Sequence, residues 1–182
     1  EVLYEGKNIF DVKDKKEDME IRKKMQIVFQ DPYSSLNPKK RIKSILAESY
    51  ETQHLCSRAE LDQTLEMLCD KVGISKGMWM QFPHELDGGK RQIVGIARAL
   101  SVGPEFVVCD EPVSALDVSV QAKILNLLMD LQEQMNLAYL FISHDLSVVK
   151  HISHKIAVMY LGRIVEIGDK DKLFNNTLHP YS

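Results

Sequence analysis

Residues 1–10 alternate apolar and polar positions and close in a turn, the pattern of a β-hairpin. A mixed charge run follows over residues 11–24 (Asp11, Lys13, Asp14, Lys15, Lys16, Glu17, Asp18), which reads as a solvated helix or loop. Met25-Gln26-Ile27-Val28-Phe29 is a short apolar strand, ended by a loop that Pro32 and Pro38 bracket. Residues 41–82 read as helical, with Leu61, Leu65, Leu68 and Val72 at helical spacing. Gly88-Gly89 opens another helix, with Ile93, Ile96, Ala97 and Leu100 on one side. After Gly103-Pro104 the pattern changes to strands alternating with helices. Residues 106–109 form a buried-type strand, and Val120, Ile124, Leu127, Leu128, Leu131 and Met135 mark an amphipathic helix. A second strand spans 139–142. Residues 156–160 and 164–167 flank Leu161-Gly162-Arg163, which suits a hairpin. Strand–helix–strand order implies an α/β domain with a parallel sheet and helices on its faces.

Composition narrows the class. Hydrophobic residues make up 45% of the 182, enough for a real core. The net charge of −3 gives no general pull towards nucleic acid or anionic lipid. Cys56, Cys69 and Cys109 form neither a paired motif nor a Cys/His cluster, which points to a reducing compartment rather than a disulfide framework or zinc site. No apolar run approaches the roughly 20 residues that cross a membrane. Residues 1–6 are not a signal peptide. The chain starts without methionine, inside a strand-like segment, so the expectation is a cut N-terminus. The basic cluster Lys39, Lys40, Arg41 and Lys43 reads as a solvated helix start. His151 and His154 lack a third ligand for a metal and read as surface or packing residues.

Three segments carry chemistry. Phe106-Val107-Val108-Cys109 runs into Asp110-Glu111-Pro112, so a buried strand delivers two carboxylates to its C-terminal edge, where open α/β sheets bind ligands. One acid there can hold Mg²⁺ and its neighbour can polarise a water. Alone, the pair is equally compatible with two solvated acids at a strand end. The second strand ends in Ser143-His144-Asp145, and a histidine at a strand end can hydrogen-bond a terminal phosphate. Upstream, Asp87-Gly88-Gly89-Lys90 precedes a helix whose free N–H groups attract phosphate, although a Gly-Gly pair before a helix is more often a turn.

Taken in order, the segments become specific. Phe29-Gln30-Asp31-Pro32 is followed by Leu86-Asp87-Gly88-Gly89-Lys90-Arg91-Gln92, running into Gly95-Ile96-Ala97-Arg98-Ala99-Leu100. Then come Val108-Cys109-Asp110-Glu111-Pro112, Ser114-Ala115-Leu116-Asp117 and Ile142-Ser143-His144-Asp145. Throughout its length the chain resembles the nucleotide-binding domains of ABC transporters, and these segments resemble the Q-loop, signature, Walker B, D-loop and H-loop. Residues 31–38 and the tail Leu178-His179-Pro180-Tyr181-Ser182 resemble the oligopeptide/dipeptide importer subfamily, which nickel-type importers share.

The resemblance implies a P-loop NTPase-type (RecA-like) parallel-sheet core with a helical subdomain, the N-terminal part of the core missing. Residues 1–30 would be a core remnant with the Q-loop strand, 31–85 a helical subdomain against a membrane permease, and 86–182 the signature helix and the rest of the core. It implies ATP and Mg²⁺ as ligands. Asp110 would hold Mg²⁺, Glu111 would be the general base, His144 would contact the γ-phosphate, and Gln30 would reach metal and water. Asp87, Gly88, Gly89 and Lys90 would meet the γ-phosphate of ATP on a second ABC ATPase subunit, identical or paralogous. Ser114 and Asp117 would lie across that dimer interface. The implied setting is the cytoplasmic, inner face of the cell membrane, peripheral, with transmembrane permease subunits and no nucleic acid.

Two departures qualify this. No Gly-x-x-x-x-Gly-Lys-Ser/Thr loop, which would cradle the phosphates, occurs in the 182 residues. Truncation is the expected reason, which would leave this chain inactive alone, with apolar surface exposed. A non-hydrolysing domain that lends only its signature half-site to a partner ATPase is the alternative. The signature also carries Asp87 where the family has serine and Lys90 where it has glutamine. Asp caps a helix as serine does, but its charge opposes a phosphate unless Lys90 or protonation offsets it.

Overall fold

In the computed structural model, which describes residues 1–182, the apolar run before Asp110 becomes the middle strand of a parallel sheet. The chain divides into two units, Glu1–Ile142 and Ser143–Ser182.

The first unit opens with a hairpin, β1 (Leu3–Tyr4) and β2 (Lys7–Asn8), followed by α1 (Lys15–Lys24) and β3 (Met25–Val28). A single turn, α2 (Pro32–Ser35), precedes the helices α3 (Ile42–Thr52), α4 (Leu61–Val72) and α5 (Gly88–Leu100). Then come β4 (Phe106–Asp110), α6 (Val118–Met135) and β5 (Ala138–Ile142). β4 pairs in parallel with β3 on one side and β5 on the other, so Val28, Cys109 and Phe141 align, as do Ile27, Val108 and Leu140. Val107 and Cys109 are almost fully buried on one sheet face. On the other face Ile27, Leu140 and Ile142 remain exposed, so helices do not close both faces of this sheet as the strand–helix alternation implied.

The helical segment packs as its periodicity requires. Ile42, Ile45, Leu46, Ala47 and Tyr50 of α3 and Leu65, Leu68, Cys69 and Val72 of α4 are buried, and both helices pack on α5. Each fully buried leucine or isoleucine contributes about 1.5–3 kcal/mol. Residues 41–82 are nevertheless not one helix. His54 takes a left-handed backbone (φ 50°), and Ser57 donates through both its backbone N–H and its hydroxyl to the Glu60 carboxylate, at 3.1 and 2.6 Å. Such local bonds compete with helix continuation. The charge run at 11–24 resolves into α1, capped by Asp14. Three residues of the basic cluster are tied down internally. Lys40 pairs with Glu48, Lys43 with Asp62, and Arg41 donates to the Met80 carbonyl.

In the second unit, α7 (Leu146–Ile152) leads to an antiparallel hairpin of β6 (Lys155–Tyr160) and β7 (Arg163–Asp169), then α8 (Lys170–Asn175). Leu161 and Gly162 both have positive φ (47° and 76°), the two-residue turn whose twist matches a hairpin. The Glu166 carboxylate accepts the Leu178 and His179 backbone N–H groups at 2.9 and 3.1 Å, and Tyr181 lies 4.4 Å from the Tyr160 ring. No helix is long and apolar enough to cross a membrane.

Candidate functional site

The first unit gathers three of the segments that the sequence singles out. β4 is drawn into the sheet by its apolar residues and ends at Asp110, which is half-buried and paired in register with Ile142 of β5. Cys109 lies just before it, fully buried, and burial pushes its thiol up to about 12, so it stays a neutral core residue. Glu111 follows with a left-handed backbone, φ 44°, and its N–H still donates to the Ile142 carbonyl at 3.0 Å. A non-glycine residue held in that region costs on the order of 1–3 kcal/mol, and such strain concentrates at functional sites. The kink turns the Glu111 side chain out of the strand's alternation.

Gln30, just beyond β3, donates from Nε2 to Glu111 Oε2 at 2.9 Å and lies 3.5 Å from Ser114 Oγ. Ser114 Oγ donates to the Glu111 carbonyl at 3.1 Å. Gln30, Glu111 and Ser114, taken from three separate motifs, therefore share one hydrogen-bonded cluster. Gln121 braces it from α6 by donating to the Val113 and Leu116 carbonyls, both at 3.0 Å. Nothing in the apolar periodicity of α6 marks Gln121, whose function depends on the turn it meets.

The start of α5 leans on the same stretch of chain. Asp87 is its N-cap, accepting the Lys90 N–H at 2.8 Å through Oδ1. Through Oδ2 it pairs with Lys90 Nζ, also at 2.8 Å. The Lys90 side chain, then its backbone N–H, holds the Asp87 carboxyl below its usual range. The negative charge that departs from the serine pattern is thus met by the positive charge that departs from the glutamine pattern. Gly88 is exposed. Gly89 is buried, and a Cβ there would fall 2.6 Å from Val120 Cγ1. α5 thus meets α6 at its first turn. Asp117 serves as the N-cap of α6, accepting the Val120 N–H at 3.0 Å and the Ser119 hydroxyl at 2.7 Å. The Ser119 hydroxyl foremost, then the Val120 N–H, lowers its pKa.

His144 belongs to the second unit, exposed, between Ser143 and Asp145. Asp145 caps α7 through the Ser147 N–H at 2.8 Å, and its own N–H donates to Ser143 Oγ at 3.1 Å. The first unit therefore brings together Gln30, Glu111 and Ser114 at the edge where β4 delivers Asp110. It sets Gly88 and Gly89 against Leu116 and Val120, and His144 lies in the second unit.

The residues expected to reach Mg²⁺ carry hard oxygen donors. Asp110 is a carboxylate, and Gln30 and Glu111 add a carboxamide and a second carboxylate. No group of three or more His, Cys, Asp or Glu is clustered to hold a metal unaided. Carboxylate and carboxamide oxygens are donors of the type that Mg²⁺ takes, one or two from protein, with water and substrate phosphate completing its shell.

The chain is 48% identical over its whole length to the Bacillus subtilis oligopeptide transport ATP-binding protein AppF, covering 55% of that protein. It is likewise 48% identical to the Lactococcus lactis dipeptide transport ATP-binding protein DppF, covering 58% of it. The chain thus spans a little over half the length of these curated relatives. Among solved structures, cbiO1 of Clostridium perfringens, part of the ABC transporter complex cbiONQ, superimposes with a TM-score of 0.83. That match covers 96% of this chain and 67% of cbiO1 at 24% identity, and so supports the fold: α/β, with a parallel sheet and helices, of the P-loop NTPase type. Residues 1–114 match the ABC transporter family, and the chain belongs to that family.

Proposed function

We propose that this chain belongs to the ATP-binding and hydrolysing subunit of an ABC importer for oligopeptides, dipeptides or similar solutes. The cluster of Gln30, Glu111 and Ser114 at the end of β4 is the observation that carries this reading. A carboxylate, a carboxamide and a hydroxyl joined in this way are the groups that can orient a water for in-line attack on a phosphoryl group. In this reading Glu111 accepts the proton of the attacking water, and Gln30 orients that water. Asp110 would hold Mg²⁺, which when bound would neutralise charge on the phosphate oxygens. His144 donates a hydrogen bond to the γ-phosphate.

The second half of the reading concerns pairing. Gly88 and the free N–H groups of α5 approach the γ-phosphate of ATP carried by a second ABC ATPase subunit, identical or paralogous, with Asp87 and Lys90 at their flank. Ser114 and Asp117 lie at that interface, Asp117 through the helix start that it caps. Residues 31–85 form the helical subdomain that meets a transmembrane permease, which places the protein peripherally on the cytoplasmic face of the membrane. The 182 residues contain no Gly-x-x-x-x-Gly-Lys-Ser/Thr loop, so this chain alone does not turn over ATP.

Exchange into a relative tests the reading. The chain replaces the matched segment of the Bacillus subtilis oligopeptide transport ATP-binding protein AppF, and peptide uptake is measured in cells that lack the native protein. Uptake by the chimera, lost on Glu111→Gln, is expected. Uptake that survives Glu111→Gln rules out the assigned role of Glu111.

A further inference from the structure

One face of α5 makes a second set of contacts. Positions 91, 95 and 98 follow one another at i, i+4 and i+7 and share a stripe of the helix. The single turn α2 lies along that stripe. The Arg91 guanidinium stands over the Tyr33 ring, 5.3 Å from its centre. A Cβ on Gly95 would meet Pro32 Cβ at 4.0 Å, ordinary contact. At the far end the Arg98 guanidinium donates to the Ser35 carbonyl. Arg98 is half-buried, and burial lowers its pKa, yet a guanidinium stays charged in proteins. Its bond to Ser35 is therefore charge-assisted.

What α2 follows gives these contacts their meaning. Asp31 caps α2 through the Tyr33 N–H at 2.9 Å. Gln30, the residue before that cap, donates to Glu111. On the other side Leu36 is buried at 2% exposure, with its N–H on the Pro32 carbonyl at 3.2 Å. The turn is thus fixed at both ends, and Gln30 projects from its fixed start. Both contacts from α5 suit a guanidinium, which stacks on aromatic faces and presents a rigid fork of donors.

We propose that Arg91 and Arg98 are positioning residues. They clamp α2 to α5, and the clamp keeps the Gln30 carboxamide registered on the Glu111 carboxylate. The Gln30–Glu111 contact is thereby tied to the helix that begins at Asp87, Gly88 and Gly89. The consequence for hydrolysis rests on the function proposed above; the clamp itself does not.

The test uses the 182-residue chain without nucleotide. The Gln30 side-chain amide signals are assigned by NMR with Gln30→Ala, and Glu111→Ala defines their position when the contact is lost. In Arg98→Met those signals are expected to move towards the Glu111→Ala position. Protection of the Leu36 amide against hydrogen exchange falls about tenfold, the scale of one charge-assisted bond. Arg98→Lys keeps a charged donor and retains part of both effects. A folded Arg98→Met chain with unchanged Gln30 signals overturns the proposal. If Arg98→Met does not fold, Arg91→Met and Tyr33→Leu carry the test. Movement of the Gln30 signals in these variants supports the clamp, and unchanged signals overturn it. None of these readouts involves ATP, so failure of the clamp and failure of the ATPase reading are separately visible.

Discussion

Replacing Gly89 with alanine puts one methyl group where the first turns of α5 and α6 touch. The added carbon would lie 2.6 Å from Val120 Cγ1, while carbon atoms rest about 3.5–4.0 Å apart. The two helix starts must therefore separate by about 1 Å. Val120 has little freedom to yield. Its β-branched side chain is stiff, and its backbone N–H is held by Asp117 at 3.0 Å. Overpacking of this kind costs about 1–3 kcal/mol. Alanine recovers up to about 1 kcal/mol of helix propensity over glycine. With that gain taken in full the net loss is up to about 2 kcal/mol, a fall in Tm of up to about 8 °C at this chain length. Gly88 is the control. A Cβ there meets only Leu116 Cδ2, at 3.1 Å, the free end of a flexible side chain, so Gly88→Ala destabilises by no more than about 0.5 kcal/mol. Val120→Ala restores Gly89→Ala, with a coupling of at least about 1 kcal/mol in the double-mutant cycle. Trp79, the only tryptophan, lies in the first unit, so its fluorescence in urea melts reads that unit. No coupling between Gly89→Ala and Val120→Ala would refute the reasoning.

Three further outcomes are expected. Asp87→Ala removes a helix cap and costs about 0.5–2 kcal/mol, whereas Asp87→Ser keeps the cap and most of the stability. Because Lys90 holds the folded Asp87 carboxyl below its unfolded value, near pH 3.9, the carboxylate's contribution is complete above that pH. It is lost as pH falls through the lower folded value, so the gap between wild-type and Asp87→Ala melts is flat at neutral pH and closes only below about pH 4. Within the AppF chimera, Lys90→Ala leaves Asp87 without its ion pair and weakens ATP-driven dimerisation on sizing columns, while Asp87→Ser tightens it; unchanged elution of both would remove Asp87 and Lys90 from the phosphate approach. Equilibrium titration of the 182-residue chain with Mg-ATP gives no saturable binding at millimolar nucleotide, and saturation would mean that other groups hold the phosphates.

The pattern of apolar positions was enough to place β3, β4, β5, α5 and α6: β4, α5 and α6 bury regular stripes, and β3 and β5 are short apolar runs paired on either side of β4. It also placed the hairpin at 155–169, where Leu161-Gly162 forms the turn. The break at residues 53–60 escaped it, since Ser57 and Glu60 form a local bond that hydrophobic spacing does not encode. The motifs named Gln30, Glu111 and Ser114 separately. Their shared cluster depends on the parallel pairing of β3 with β4, a long-range register that no local signal reports. The sequence showed that Asp87 and Lys90 depart from the family pattern together, and left open whether their charges meet. Their spacing of three residues on a helix start makes the pair, with Asp87 both cap and counter-ion. Gln121, Arg91 and Arg98 were invisible as site residues because each acts on a carbonyl or ring from another element.

The central claim is that Glu111 is the base for hydrolysis of ATP. Single-turnover hydrolysis by the AppF chimera tests it most directly, with nucleotide binding measured on the same samples. The account predicts that Glu111→Gln keeps Mg-ATP binding within a few-fold and lowers the hydrolysis rate at least about a hundredfold, the lower end of what a positioned general base supplies. Hydrolysis at an unchanged rate in Glu111→Gln, with binding intact, would contradict it.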